Sequence, residues 1–227
     1  MDHKEELELY KAGEKISKLF NLDFFKKFRD VSFIDPESVF IWFPNGLGDI
    51  AIGKGSVIGP HVYLFGGISI GENTKIQPGT RITRSVIGSY CNIGGHIIDS
   101  VLGDYIETGP HTELTRCTLG EHTTAKHYCY LGDTTTGEHV NIAAGTITAN
   151  FDGAPEKNKT IIGNNVKTGI NSNLISTKKN NNGVLYIGDD AVIGANAVIL
   201  ADVPAGATII GIHKNRKNTE VHHAKND

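Results

Sequence analysis

The sequence is poor in the residues that mark disulfide-rich, membrane-spanning and nucleic-acid-binding proteins. Of its 227 residues, three are Cys, one is Met, one is Trp and 7% are aromatic. The cysteines are odd in number and form no CxxC pair, so they predict reduced thiols in a cytoplasmic protein. No apolar run approaches the length of a membrane span, and the highly charged N-terminus predicts no signal peptide. A net charge of −3 is too balanced to indicate nucleic acid or an anionic membrane as a partner.

What the sequence has instead is a repeat of six residues. Six aliphatic residues fall at this strict spacing: Ile52, Ile58, Leu64, Ile70, Ile76 and Ile82. Neither a helix nor a strand has such a period. A six-residue period is typical of a parallel β-helix, in which three hexapeptides make one coil of about eighteen residues. The repeat therefore predicts an all-β solenoid of roughly ten coils over residues 34–213.

Three kinds of segment flank or interrupt this repeat. Residues 1–33 place apolar side chains at near-helical spacing and predict a helical extension that caps one end of the solenoid. Residues 214–227 are polar and predict a flexible tail. The stretches 150–159 and 177–184 are rich in Asn, Lys, Gly or Pro, so they predict loops that leave the coil. Such loops on a rigid scaffold are where binding sites are usually built.

Side chains capable of chemistry concentrate between residues 113 and 159. His127 can take a proton at neutral pH, and it begins the string His-Tyr-Cys-Tyr-Leu-Gly-Asp. A second string, Val-Asn-Ile-Ala-Ala-Gly-Thr-Ile-Thr-Ala-Asn-Phe-Asp-Gly, carries Asn141 and Asn150, whose carboxamides can hold a ligand or orient an imidazole. Lys157, in the loop that follows, can meet a phosphate.

These strings, with the Lys-Thr-Ile-Ile-Gly that follows the loop, resemble the C-terminal acetyltransferase domain of the bifunctional N-acetylglucosamine-1-phosphate uridyltransferase/glucosamine-1-phosphate acetyltransferases. The match is dense over residues 119–169, and the generic pattern of hexapeptide-repeat acyltransferases supports it elsewhere. The resemblance implies a left-handed parallel β-helix and a homotrimer with active sites in the clefts between prisms. It also implies acetyl-CoA-dependent N-acetylation of an amino-sugar phosphate, glucosamine-1-phosphate or a close analogue.

The resemblance implies a role for individual residues as well. His127 would be the general base that takes a proton from the amine, which then attacks the thioester of acetyl-CoA. Asn150 would lie close to His127 and the acetyl group and support the base or the attacking amine. Tyr130, Asn141 and Lys157 would bind the sugar phosphate.

Coenzyme A would lie further along the solenoid. Ala144, in a corner of small residues, and Ala195 fall at positions that the family uses for the coenzyme. The family's coenzyme-binding Ser position carries Ile170 here. The family places an Arg near the end of the coils, and Lys214 and Arg216 are the nearby candidates for that cation.

The chain departs from the family where the sugar phosphate is gripped. The family's Lys position falls on Thr115, with Arg116 beside it as a possible substitute, and its earlier Arg position falls near Ile97. Phosphate recognition usually requires charge-assisted donors. The acetyl-transfer residues are therefore better matched than the phosphate-binding residues.

Two other functions stay open from the sequence. His122 and His127 have the H-x4-H spacing of the zinc-dependent γ-class carbonic anhydrases, but no His lies near Val86, where the third ligand is expected. We therefore predict no metal site. The missing cations favour a non-catalytic scaffold or sensor, whereas the retained His127, Asn150 and Lys157 argue against one.

Overall fold

The computed structural model describes residues 27–42 and 49–213, and these residues form a stack of triangular β-coils. Each coil supplies one short strand to each of three parallel sheets, numbered 1 to 3 in the order in which the chain first visits them. The coils form the left-handed parallel β-helix that the sequence predicts. The helices predicted for residues 1–33 fall almost entirely outside the described residues. The first strand begins at Ser32, two residues before the expected start of the solenoid.

Sheet 1 is built from strands of two residues, each paired in parallel with its equivalent in the neighbouring coil. Its strands, numbered along the whole chain, are β1 (Ser32–Phe33), β4 (Val57–Ile58), β7 (Lys75–Ile76), β10 (Asn92–Ile93), β13 (Glu107–Thr108), β16 (Thr124–Ala125), β19 (Asn141–Ile142), β24 (Val192–Ile193) and β26 (Thr208–Ile209). Lys167 carries the ladder across the gap between β19 and β24, because it bridges Asn141 on one side and Val192 on the other.

Sheets 2 and 3 repeat this arrangement with slightly longer strands. Sheet 2 contains β2 (Phe40–Trp42), β5 (Tyr63–Phe65), β8 (Arg81–Thr83), β11 (His96–Ile98), β14 (Glu113–Thr115), β17 (Tyr130–Gly132), β20 (Ile147–Ala149), β22 (Asn173–Ile175), β25 (Val198–Ile199) and β27 (Ile212–His213). Sheet 3 contains β3 (Ile50–Ile52), β6 (Ile68–Ile70), β9 (Val86–Ile87), β12 (Val101–Leu102), β15 (Thr118–Leu119), β18 (Thr134–Thr136), β21 (Lys159–Ile162) and β23 (Val184–Ile187). The ten strands of sheet 2 correspond to the roughly ten coils predicted.

The six-residue spacing puts its aliphatic residues on the three sheets in turn, and all of them point inward. Ile58 of sheet 1 stacks on Ile76, and Leu64 of sheet 2 stacks on Ile82 one coil further. These four side chains are fully buried, as is most of the aliphatic column on sheet 3. Burying such a side chain contributes about 1.5–3 kcal/mol. The repeat thus creates one continuous apolar core along the axis of the prism.

The coil length is shorter than the predicted eighteen residues in much of the solenoid. Hydrogen bonds between equivalent positions in neighbouring coils join Thr74 to Ser56 across 18 residues, Cys117 to Ser100 across 17, and Ser100 to Ser85 across 15. The strands keep their lengths and the corners become shorter. Gly95, with φ of +88°, makes the tight corner between β10 and β11, a backbone conformation that glycine adopts without a Cβ clash.

Both predicted loops leave the coil where sheet 2 gives way to sheet 3. The first connects β20 to β21, and the second connects β22 to β23. The second also contains one helical turn, α1 (Lys178–Asn181), which the sequence analysis did not predict. The loops contact each other, because the backbone N–H of Lys178 donates to Asp152 Oδ2 (2.9 Å) and its Nζ donates to Glu156 Oε2 (3.2 Å). In the part of the chain that the structure describes, no helix combines the length and apolar character that a membrane crossing requires.

Candidate functional site

His127, Ala144 and Ala195 lie along one edge of the prism, the corner between sheets 1 and 2, which we call corner 1–2. The carbonyl of His127 accepts from Gly145 N–H (3.2 Å) in the next coil. The carbonyls of Ala144 and Ile170 each accept in the same way from the following coil, at 2.8 Å, and Ala195 occupies the equivalent position after Ile170. The predicted base and two predicted coenzyme positions therefore occupy equivalent places in one column along corner 1–2.

The backbone of His127 is fixed while its imidazole is exposed. Its carbonyl also accepts from Cys129 Sγ (2.9 Å). The neighbouring Tyr128 stacks on His111 of the preceding coil, with ring centroids 4.6 Å apart. The His127 side chain itself is exposed and makes no hydrogen bond to any residue within 27–42 or 49–213. An exposed imidazole on a rigid corner can accept a proton from a ligand that docks on that edge.

A second group of predicted residues lies at the corner between sheets 2 and 3, called corner 2–3 below. Arg116 and Asp133 form a bidentate ion pair there, with Nε to Oδ1 at 2.7 Å and Nη2 to Oδ2 at 2.8 Å. Asn150, one coil further, donates from Nδ2 to the same Asp133 Oδ2. Only 13% of the Asp133 side chain and 7% of Asn150 are exposed, so this cluster is well ordered by its surroundings.

Tyr130 joins the same cluster because Gly132 has no side chain. A Cβ atom at Gly132 would lie 2.6 Å from Tyr130 Oη and 3.0 Å from Asn150 Cγ, which real Cβ contacts do not tolerate. The Tyr130 hydroxyl and the Asn150 carboxamide thus share the space above Gly132. A phenol and a carboxamide side by side offer hydrogen-bond donors and acceptors to a polar ligand.

Lys157 sits above this corner in the first loop. Its Nζ lies 3.8 Å from the centroid of the Phe151 ring, a cation–π contact. Among the described residues Lys157 forms no ion pair with a carboxylate, and Phe151 is itself 59% exposed. The ammonium is therefore held near the cluster while its charge remains available to an anionic ligand.

Charges at corner 2–3 shift the ionisation of their partners. Burial alone would raise the pKa of the Asp133 carboxyl, but hydrogen bonds from Arg116 and Asn150 outweigh it and hold that pKa below its ordinary value. The positive charge of nearby Lys157 acts in the same direction. The hydrogen bond to Asp133 in turn raises the pKa of Arg116. Asp133 is therefore ionised at neutral pH and can only accept hydrogen bonds.

Asn141 lies on a different face of the prism from this cluster. It is exposed on sheet 1, where Thr124 Oγ1 donates to its Oδ1 (2.9 Å) and Lys167 is its neighbour in the next coil. Tyr130 lies on sheet 2. Asn150 lies at corner 2–3, across sheet 2 from His127 rather than beside it as the resemblance implies. A single chain therefore does not gather all of the predicted substrate-binding residues on one face.

The positions at which the family carries phosphate-binding cations are uncharged here. Ile97 is fully buried on the inner face of sheet 2, so no ligand can reach it. Thr115 is half-buried on the outer face, next to Arg116. Arg116 uses two of the five N–H donors of its guanidinium on Asp133. The predicted coenzyme residue Lys214 lies outside the described residues.

Sequence reasoning missed Asp133, which joins Arg116 to Asn150. The motif Tyr-Leu-Gly-Asp contained it, yet no role was predicted for it. The available signal was spacing, because Arg116, Asp133 and Asn150 follow one another at intervals of 17 residues, one coil each. Equal intervals of one coil put side chains on the same corner.

The two histidines of the zinc hypothesis occupy different corners. His122 lies between sheets 3 and 1, where its ring stacks between Tyr105 and His139 at 4.6 Å from each. His127 lies at corner 1–2. No group of three metal-binding side chains comes together within residues 27–42 and 49–213.

Comparison with known proteins identifies relatives of the chain. The chain is 33% identical over 214 residues to the bifunctional protein GlmU of Listeria monocytogenes, an alignment that covers 86% of this chain and 44% of that protein. It is 36% identical over 201 residues to GlmU of Carboxydothermus hydrogenoformans, covering 79% and 42% respectively. The chain belongs to the hexapeptide-repeat β-helix family and is a relative of GlmU. It spans less than half the length of these GlmU relatives.

No protein-family profile matches the chain. Among solved structures, the chain is similar to AntD, described as an N-acyltransferase from Bacillus cereus. The TM-score is 0.34 and the identity 18%, and the alignment covers 88% of this chain and 91% of AntD.

Proposed function

We propose that this GlmU relative is an acetyl-CoA-dependent N-acetyltransferase whose acceptor is an amino-sugar phosphate, glucosamine-1-phosphate or a close analogue. The observation that carries the proposal is the common edge of His127, Ala144 and Ala195, the predicted base and two predicted coenzyme positions. Ala144 and Ala195 carry small side chains, and the exposed Ile170 between them offers an apolar contact to a ligand along corner 1–2. The resemblance to the acetyltransferase domain supplies the chemistry.

In the proposed reaction, His127 accepts a proton from the amine of the sugar. The amine nitrogen forms a bond to the acetyl carbon, and the carbon–sulfur bond of the thioester breaks. The departing thiolate of coenzyme A takes up a proton, so one amide and one thiol are produced. A positioned general base contributes a factor of about 10² to 10⁴ to such a reaction. Asn150 supports the amine from corner 2–3.

The phosphate of the acceptor would bind two cationic side chains, Lys157 and Arg116, of which only Arg116 is paired with a carboxylate in the described part of the chain. Lys157 has no carboxylate partner among the residues that the structure describes, so it supplies the main charge. Arg116 has three N–H donors left after it binds Asp133, and it supplies hydrogen bonds with a charge that Asp133 partly neutralises. Tyr130 adds a hydroxyl beside Asn150.

The distribution of site residues over two faces supports a homotrimer. Asn141 points outward from sheet 1, whereas Tyr130 points outward from sheet 2. A cleft between two copies would bring sheet 1 of one copy opposite sheet 2 of another and complete the site. Light scattering should then give three times the chain mass of 24.5 kDa. Mixing inactive Asn141→Ala and His127→Ala subunits should restore part of the activity, and no restoration would place both residues in one chain's site.

The buried, free cysteines suit a reducing compartment, so we propose that the protein works in the cytoplasm.

The test of function is release of free coenzyme A from acetyl-CoA, with a panel of amino sugars led by glucosamine-1-phosphate. Turnover with that acceptor is expected. Turnover only with another amino sugar would keep the reaction and change the acceptor. Failure to bind acetyl-CoA at all would overturn the proposal in favour of a non-catalytic scaffold.

A further inference from the structure

We propose that Asp133 is a positioning residue that fixes which end of the Asn150 carboxamide faces the acceptor amine. This inference rests on the proposed function, because it gives Asn150 a place in the acetyl transfer. Asp133 touches neither substrate in the proposal; it acts on the amine through Asn150 and on the phosphate through its ion pair with Arg116.

The two ends of a carboxamide have nearly the same shape, so only hydrogen bonds decide its orientation. An ionised carboxylate accepts hydrogen bonds and cannot donate them. Asp133 therefore requires the Nδ2 end of Asn150 on its side, and Nδ2 indeed donates to Asp133 Oδ2. The Oδ1 end is then directed away from Asp133. It accepts no hydrogen bond from a residue in the described ranges.

Asp133 is itself held in place, so it is a fixed reference for Asn150. Arg116 binds both of its carboxylate oxygens, and the backbone N–H of Asp133 donates to the Thr115 carbonyl (3.0 Å). The Asp133 carbonyl accepts from the backbone N–H of Thr160 (3.2 Å). With backbone and side chain both restrained, the carboxylate has one position available to it.

The free Oδ1 of Asn150 is the right kind of atom for an amine acceptor. Before attack, the amine still carries N–H groups, and an oxygen that accepts one of them orients the nitrogen lone pair. The reversed carboxamide would present N–H groups instead, and these would donate to the nitrogen lone pair that has to attack the thioester. Gly132 leaves room for the Asn150 carboxamide itself, which occupies the space above the glycine next to the Tyr130 hydroxyl. Orientation of a reacting group is worth large factors in rate, and a small misplacement can cost about 100-fold.

The chain contains a matched control for Asp133. Arg84 and Asp99 form the same bidentate pair on the same corner, with distances of 2.6 and 2.8 Å. Asp99 accepts no hydrogen bond from an Asn side chain in the described residues. Asp99→Asn therefore removes an equivalent ion pair without affecting Asn150.

The test is a double-mutant cycle in the full-length chain, with acetyl-CoA and the best acceptor of the panel. Asp133→Asn should lower kcat by about 10- to 100-fold with little change in the KM for acetyl-CoA, because Asn at 133 allows both orientations of Asn150. Asp99→Asn should match the wild type. In an Asn150→Ala background, Asp133→Asn should cost no further kcat. An equal further loss in that background would overturn the inference and assign Asp133 a general structural role.

A second measurement, hydrogen exchange of side-chain amides, uses the wild-type protein without a substrate. In wild-type protein labelled with ¹⁵N-asparagine, the side-chain amide hydrogens of Asn150 should exchange with solvent more slowly than those of Asn141. Asn141 is the control because its Oδ1 is bonded and its NH₂ group is free of described partners. Equal exchange would overturn the orientation. Slow exchange with no turnover of any amino sugar would confirm the orientation and overturn the proposed function.

Discussion

The ion pairs Arg84–Asp99 and Arg116–Asp133 have the same geometry in two regions of the solenoid, but among the described residues only the second pair contacts a candidate active-site residue. Both pairs lie on corner 2–3, and all four residues have positive φ. Their hydrogen-bond lengths agree within 0.1 Å. The environment differs, because 36% of the Asp99 side chain is exposed but only 13% of Asp133.

The extra burial of Asp133 comes from the residues that surround it one coil later. Asn150 and the first loop cover corner 2–3 there, whereas no described loop leaves that corner near Asp99. An exposed ion pair contributes about 0–1 kcal/mol, so the first pair serves mainly to pack the corner. The second pair contacts a candidate active-site residue. A repeat protein can thus build a site by adding one loop to a geometry that its neighbouring coils already have.

The largest expected difference is in kcat, between substitutions in the coil that carries Asp133 and in the coil that carries Asp99. His127 lies in the coil that carries Asp133, and His96 lies in the coil that carries Asp99; both are exposed. His127→Ala should lower kcat by about 10² to 10⁴, because it removes the general base. His96→Ala should leave kcat unchanged. Steady-state kinetics measures both, and circular dichroism should show intact folding, since neither side chain belongs to the core. Wild-type turnover in His127→Ala would exclude it as the base.

A smaller difference is expected in substrate binding. Arg116→Gln should raise the KM for glucosamine-1-phosphate by about tenfold, equivalent to about 1.4 kcal/mol, because it removes donors to the phosphate. The KM for unphosphorylated glucosamine should not change. Arg84→Gln is the matched control and should alter neither value. If Arg116→Gln behaved like Arg84→Gln, Arg116 would serve only to hold Asp133.

The coil architecture could be predicted from the sequence, whereas the contacts between side chains at corner 2–3 could not. Burial dictates an aliphatic residue wherever the chain points inward, so Leu64 and Ile82 revealed the coils without any structure. The six-residue repeat also predicts that Asn141 and Asn150 lie at different places around the coil. They are one and a half hexapeptides apart, so Asn141 falls on a strand of sheet 1 and Asn150 falls at a corner.

The sequence could not show which side chains contact each other. Arg116 was predicted as a phosphate ligand because of its position beside Thr115. Its pairing with Asp133 depends on left-handed backbone at both residues, which brings the two side chains together along the corner. Non-glycine residues seldom adopt that backbone, so pattern reasoning gives it little weight. The role of Asp133 itself depends on three coils meeting at one point.

The two ion pairs should also differ in stability. Asp133→Asn should lower the free energy of unfolding by about 1–3 kcal/mol, since it leaves a half-exposed Arg116 unpaired and weakens a partly buried hydrogen-bond network. Asp99→Asn should cost less than about 1 kcal/mol. Urea denaturation at pH 7 and fixed protein concentration measures both. Equal losses of unfolding free energy would mean that Asn150 and the first loop do not strengthen the Arg116–Asp133 pair.

The pH dependence of these losses follows from the two carboxyl pKa values. A hydrogen bond from Arg84 lowers the pKa of Asp99, and the pKa of Asp133 is also below its ordinary value. A depressed pKa stabilises the fold fully above the unfolded-state value of about 3.9, and that stabilisation is lost as pH falls through the folded-state pKa. The gap between Asp133→Asn and the wild type should therefore be constant from pH 7 to 5 and shrink below about pH 4.

The smallest expected effect concerns the residues that follow the arginines. Ser85 follows Arg84, and Cys117 follows Arg116. Ser85 Oγ donates to the Thr83 carbonyl (2.7 Å), and Cys117 Sγ donates to the Leu131 carbonyl (3.1 Å). Burial raises the pKa of the Cys117 thiol to about 11, so it remains protonated and unreactive towards thiol reagents at pH 8.

Cys117→Ser should change the free energy of unfolding by less than about 1 kcal/mol, because the hydroxyl can donate to a carbonyl two residues earlier. Cys117 Sγ already contacts the Thr115 carbonyl (3.6 Å), as Ser85 Oγ contacts that of Thr83. Cys117→Val should cost more. It removes the donor to Leu131 and leaves a buried carbonyl with one partner fewer. Urea denaturation compares the two variants, and kcat should stay at the wild-type value in both. If Ser were as costly as Val, the sulfur at this position would be required for packing, and the two regions would differ in their interior as well as at their surface.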